Sequence, residues 1–143
     1  MFAESVAQLE PQSSLGEDGP TILVVDDDPT QSESLAFRLR QHGFSPTTAS
    51  TGRQALALAQ SDQPSAILLD LQLPDLDGLS VCEQLVDSPE TCEIPVIIVS
   101  GVDRPDVLRQ ARAAGCHYYL RKPYDPNALL ILLRQALQEM NDW

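Results

Sequence analysis

Basic side chains are what this chain has least of: nine Lys and Arg stand against 21 Asp and Glu in 143 residues, a formal net charge of -12. Only one of the nine is a lysine, Lys122. Non-specific affinity for a polyanion comes from Lys and Arg neutralising phosphates, so this balance argues against nucleic acid as a direct partner. Long apolar runs are missing as well. No stretch approaches the roughly 18 consecutive apolar residues of a membrane span, and no membrane partner is expected. The first ten residues, MFAESVAQLE, have neither the basic start nor the apolar core of a secretory signal, which makes a cytoplasmic location the expectation. Cys82, Cys92 and Cys116 are odd in number and outside any CxxC spacing. They read as reduced, semi-buried thiols and not as zinc ligands.

What remains is ordinary globular material, 43% apolar and 21% charged, of a length that suits one domain. Residues 1–20 carry Glu4, Glu10, Glu17 and Asp18 with no basic residue and no sustained period, the pattern of a flexible acidic leader. From Thr21 on, short apolar runs (TILVVD, FSPTTA, AILLD, PVIIVS, HYYL) alternate with segments of helical spacing. Asp28 before Pro29 reads as a cap with proline at the first helical position, and Gly43 as the stop. Further helices are expected from Gly52 to Gln60, Gly78 to Val86, Pro105 to Ala114 and Pro126 to Met140. Strands alternating with helices imply an α/β fold, a parallel sheet covered on both faces, with ligand sites beyond the carboxyl ends of the strands.

The residues closing those strands are therefore the informative ones. The first run ends in Asp26 and Asp27, the third in Asp70 and the fourth in Ser100, while Lys122 follows the fifth. Grouped carboxylates repel unless a cation or a proton relieves them, and carboxylate oxygens suit a hard cation such as Mg²⁺. A carboxylate also serves as a nucleophile toward phosphorus, and Asp70, alone at its strand end, is the better candidate. Ser100 and Lys122 then meet developing charge on the phosphoryl oxygens. Each residue has a plainer reading too. A carboxylate after an apolar strand often caps the next helix, as Asp28 is expected to do, and a serine there often serves the turn. The joint occurrence of all five is what favours a site. His42 and His117 are read as structural, and PDLDG at residues 74–78 lacks the frame of a calcium loop.

The stretches ILVVDDDP, AILLDLQLPDLDGLSVCEQL, IPVIIVSG and AGCHYYLRKPY resemble, in order and spacing, the receiver domains of two-component response regulators (CheY-like superfamily). The resemblance implies a flavodoxin-like, doubly wound five-stranded sheet of order 2-1-3-4-5 with five helices, over residues 21–141. It implies a phosphoacceptor signalling domain, not an enzyme acting on other molecules, that assists its own phosphorylation and dephosphorylation. By matching position Asp70 is the phosphoacceptor, and Asp26, Asp27, Asp70 and the backbone carbonyl of Gln72 hold Mg²⁺. Ser100 is the switch hydroxyl, Tyr119 the switch aromatic and Lys122 the phosphoryl contact, its bond to Pro123 often cis.

The implied partners are a sensor histidine kinase or histidine phosphotransfer protein upstream and, downstream, a protein target or a second copy met through α4-β5-α5. Gly101 stands where alanine is commoner, and the apolar Val102 suggests a long-lived phosphorylated form. In NALLILLRQALQEM, Leu130, Leu133 and Leu137 form the expected buried stripe, leaving Leu129, Ile131 and Leu132 for other faces. A rival reading lays the aspartate motif of a haloacid-dehalogenase-type (HAD-like) phosphatase on Asp26, Asp28 and Thr30, with Asp26 as nucleophile. It leaves the Asp70 stretch unexplained. The sequence closes at Trp143, which suits either a stand-alone receiver or a piece of a longer regulator.

Overall fold

A computed structural model describes residues 19–141; the expected leader lies, through residue 18, outside them. Ten elements alternate strictly: β1 (Thr21–Val25), α1 (Pro29–Gln41), β2 (Ser45–Ala49), α2 (Gly52–Asp62), β3 (Ala66–Leu69), α3 (Gly78–Asp87), β4 (Val96–Ser100), α4 (Val107–Ala113), β5 (Tyr118–Arg121) and α5 (Pro126–Asn141). All strand pairs are parallel, in the order β2-β1-β3-β4-β5. This is the flavodoxin-like order, with its reversal between β1 and β3, where ligands of such sheets bind.

Side chains alternate across each strand, so the sheet has two cores. On one face Leu23, Val25, Ile67, Leu69, Val96 and Ile98 pack under α2, α3 and α4. On the other, Ile22, Val24, Leu68, Ile97 and Val99 pack under α1 and α5. Apart from Thr21 at the start of β1 and Ser100 at the end of β4, the three central strands are apolar throughout because both faces are covered. Edge strand β2 is not: SPTTA is mostly half-exposed, and its place comes from pairing with β1. Each fully buried Leu, Ile or Val contributes about 1.5–3 kcal/mol, which is why central strands and not helix surfaces anchor the frame.

Local chemistry sets the helix bounds. Asp28 caps α1, its carboxylate accepting from the N–H groups of Thr30 (3.0 Å) and Gln31 (3.5 Å). His42 sits at the C-terminal cap, and Gly43 follows at φ +89°. The second helix outlasts its expected end at Gln60, because Gln63 takes the left-handed cap (φ 49°) just ahead of Pro64. The fourth starts two residues after the expected Pro105, at Val107, and Asp106 gives it no side-chain cap. On α5 the buried set is Leu129, Leu130, Leu133 and Ala136, with Ile131 left 66% exposed. Leu129, expected on another face, is thus a core residue, since residues four apart stack on one side of a helix. All three cysteines are free, but Cys92 is exposed, beyond the end of α3. Cys82 is buried, and desolvation pushes its thiol up to about 12. No described helix is long and apolar enough to cross a membrane.

Candidate functional site

Register brings the strand-end residues together. Val25 pairs with Leu69 in the parallel ladder, so the next residues, Asp26 and Asp70, leave neighbouring strands side by side. The Asp70 N–H donates to the Val25 carbonyl at 3.0 Å, and the Lys122 N–H to the Ser100 carbonyl at 2.9 Å. Asp26, Asp27 and Asp70 present oxygen atoms all within 4.8 Å of one another. Asp26 and Asp70 are 8% and 7% exposed, while Asp27 faces solvent. Such crowding calls for compensation, and Lys122 supplies part of it. Its Nζ lies 3.0 Å from Asp26 Oδ2, 3.2 Å from Asp70 Oδ2 and 2.7 Å from Gln31 Oε1. Burial opposes the lysine's charge, yet Asp26 and Asp70 outweigh it and hold the ammonium above its ordinary pKa.

The other carboxylate oxygens are fixed by backbone. Asp26 Oδ1 accepts from the Asp28 N–H at 2.9 Å, and Asp70 Oδ1 from the Gln72 N–H at 3.1 Å. That leaves Asp26 Oδ2 and Asp70 Oδ2 facing the Lys122 ammonium. Three carboxylates and one ammonium sum to -2, and the donors are all hard oxygens. The set fits a divalent cation of the Mg²⁺ kind. Gln72, whose side chain is exposed, follows two residues after Asp70 on the same loop.

Ser100 ends β4 fully buried, its Oγ accepting from the Val102 N–H at 3.2 Å. Tyr119, on β5 and half-buried, donates from its hydroxyl to the Val102 carbonyl at 3.4 Å. Desolvation holds its phenol above the usual range, with Ser100 opposing. The Lys122–Pro123 peptide is cis. Asp75 and Asp77 of the PDLDG loop turn outward from this cluster to cap helices. Asp75 accepts from the N–H groups of Gly52 (2.7 Å) and Arg53 (3.0 Å), bonds that hold its carboxyl below the usual range, Arg53 first. Asp77 caps α3 through the Leu79 N–H at 3.1 Å. Asp28, the second acid of the phosphatase motif, is likewise spent on a cap. The sequence reading missed Gln31, whose contact with Lys122 spans 91 residues and leaves no local pattern.

The family model described as the response regulator receiver domain matches residues 22–134. The chain belongs to the response regulator receiver family. Members are signalling domains phosphorylated on an aspartate in two-component systems, generally with Mg²⁺. This receiver is 36% identical over 116 residues to Protein PilH of Pseudomonas aeruginosa, covering 81% of this chain and 96% of that one. It is 35% identical over 119 residues to the DNA-binding dual master transcriptional regulator RpaA of Synechocystis sp., covering 83% of this chain but 49% of that protein. It thus spans about half the length of RpaA and of several other curated relatives. Among solved structures it superposes on a CheY-like receiver domain protein from Methanospirillum hungatei with a TM-score of 0.82 at 27% identity, covering 87% of this receiver and 98% of that chain. The receiver domain of a signal transduction histidine kinase from Syntrophus aciditrophicus gives 0.82 at 26% identity, covering 87% and 95%.

Proposed function

We propose that Asp70 of this receiver accepts a phosphoryl group from a phosphohistidine of a sensor histidine kinase or histidine phosphotransfer protein. The observation that carries the reading is the meeting of Asp26, Asp27 and Asp70 within 4.8 Å, with the Lys122 ammonium 3.2 Å from Asp70 Oδ2. Asp70 Oδ2 attacks phosphorus; the bond from phosphorus to the donor's imidazole nitrogen breaks, and its electron pair leaves with the imidazole. Asp70 Oδ1, tied to the Gln72 N–H, keeps the carboxylate from rotating during the attack. Lys122, the chain's single lysine, moves its charge from a carboxylate oxygen that has reacted to a phosphoryl oxygen close by. Asp26, Asp27, Asp70 and the Gln72 carbonyl would hold Mg²⁺, which supplies positive charge to the transferring group. The structured domain of this reading runs over residues 21–141.

The phosphoryl group adds about -1.5 to -2 charges and three strong acceptors beside Ser100. Its hydroxyl carries the proton to donate, and turning toward the new acceptor would strain the bond it accepts from Val102. Tyr119 holds the other backbone group of Val102, so it is released in the same step. The consequence is a changed α4-β5-α5 surface, read by a downstream protein or a second copy. Labelling with acetyl phosphate and Mg²⁺, followed by mapping of the modified residue, tests this. Asp70 is expected to carry the label and Asp70→Asn to take up none; label retained by that variant, or found on Asp26, would sink the reading.

A further inference from the structure

Lys122 has a partner that charge pairing does not call for. An ammonium has three N–H donors, and here all three are used. The shortest contact, 2.7 Å, is to the neutral amide oxygen of Gln31 and not to either acid. Gln31 lies on the first turn of α1, where the Asp28 cap accepts from its backbone N–H, so the amide projects from a fixed start. Gln31, Leu35, Lys122 and Tyr124 also line both a cavity of about 20 Å³ against Asp26 and Asp70 and a groove of about 570 Å³ outside it. Gln31 and Lys122 thus stand together at the boundary between the acids and the outer groove.

A dication and the Lys122 ammonium want the same oxygens of Asp26 and Asp70, and they repel each other. When the cation takes its share, the lysine needs another acceptor nearby. A carboxylate in that place would add to the repulsion among the acids, and a hydrocarbon would leave the ammonium bound to the acids alone. An amide carbonyl does neither. We infer that Gln31 is a positioning residue for Lys122, taking up its ammonium as Mg²⁺ claims the acidic oxygens and so easing the cation's entry. This rests on the proposed Mg²⁺ site and phosphoacceptor.

Titration calorimetry with MgCl₂ on the parent, Gln31→Met, Lys122→Met and the double variant tests it. Gln31→Met is expected to weaken Mg²⁺ binding by at most about fivefold, the full net worth of one hydrogen bond of about 1 kcal/mol. In the Lys122→Met background the same change is expected to have no effect, because the residue acts through the lysine. In acetyl phosphate labelling, Gln31→Met should raise the half-saturating Mg²⁺ concentration by the same factor. Parent-like Mg²⁺ affinity in Gln31→Met, or an equal loss with and without Lys122, overturns the inference. Should Lys122→Met not fold, a fall in the saturated rate with no shift in half-saturation overturns it as well. A parent that binds no Mg²⁺ overturns the site reading beneath it.

Discussion

Gly78 opens α3 directly behind the loop that follows Asp70, and its replacement by alanine tests how tightly that loop is held. A Cβ there would lie 2.4 Å from Leu71 Cα, 2.8 Å from the Asp70 carbonyl oxygen and 2.8 Å from the Leu71 carbonyl oxygen. The first is 1.0 Å short of the 3.4 Å at which ordinary contact begins. Every atom met is backbone, so no rotamer change relieves the clash, and the Gly78 N–H bond to the Leu71 carbonyl at 3.0 Å pins the two segments together. Overpacking of this kind costs up to about 3 kcal/mol, or about 12 °C in melting temperature at about 4 °C per kcal/mol for a domain of this size. The segment that yields carries Asp70 and Gln72. A shift of about 1 Å there is expected to slow acetyl phosphate labelling by tenfold to about a hundredfold. Gly101→Ala is the control, since its Cβ meets nothing nearer than Lys122 Cβ at 4.0 Å. That change is expected to be neutral or to stabilise by up to about 1 kcal/mol through the unfolded chain. Thermal unfolding and labelling rates of both variants decide the matter: Gly78→Ala melting within 2 or so degrees of the parent, at about 0.5 kcal/mol, would refute the steric argument.

Two other outcomes follow from particular side chains. His117 Nδ1 accepts from the Val96 N–H at 3.1 Å, and desolvation, partly opposed by Glu139, holds its imidazole below the ordinary value. The unfolded chain therefore binds this proton first, and stability falls as pH drops below about 6.5 toward the folded-state value. Urea midpoints at pH 7.5 and 5.5 should differ less in His117→Asn than in the parent, at conditions chosen around that ordinary value of about 6.5; an unchanged difference counts against the assignment. Val102 gives an attacking water no polar partner, so the acyl phosphate is expected to be long-lived; a measured lifetime of only seconds contradicts this.

The strand ends were readable in the sequence because a polar residue closing an apolar run stands out, as Asp26, Asp70 and Ser100 do. A parallel sheet then leaves only one edge for them to share. Helix starts with a chemical signature were also readable, Asp28–Pro29 foremost. So was β2, read as the run FSPTTA, although its place comes from pairing with β1 and not from burial. Other features were not. Pro105 suggested a helix start, yet the chain turns at Pro105 and Asp106 before α4 begins at Val107. Leu129 looked surplus on α5 because a run of five leucines and isoleucines hides which face meets the sheet; the packing of Ile22, Val24 and Leu68 decides it. The Gln31 contact depends on α1 and the end of β5 converging, and that lies in tertiary structure alone.

Val102 lends both its backbone groups to the relay, the N–H to Ser100 and the carbonyl to Tyr119. Its side chain has no part in either bond. On the proposed reading, a chain built this way would set how fast its signal decays through one partly buried side chain, packed against the core under α2, α3 and α4, while both backbone bonds stay in place. Memory and message would then be carried by different atoms of the same residue.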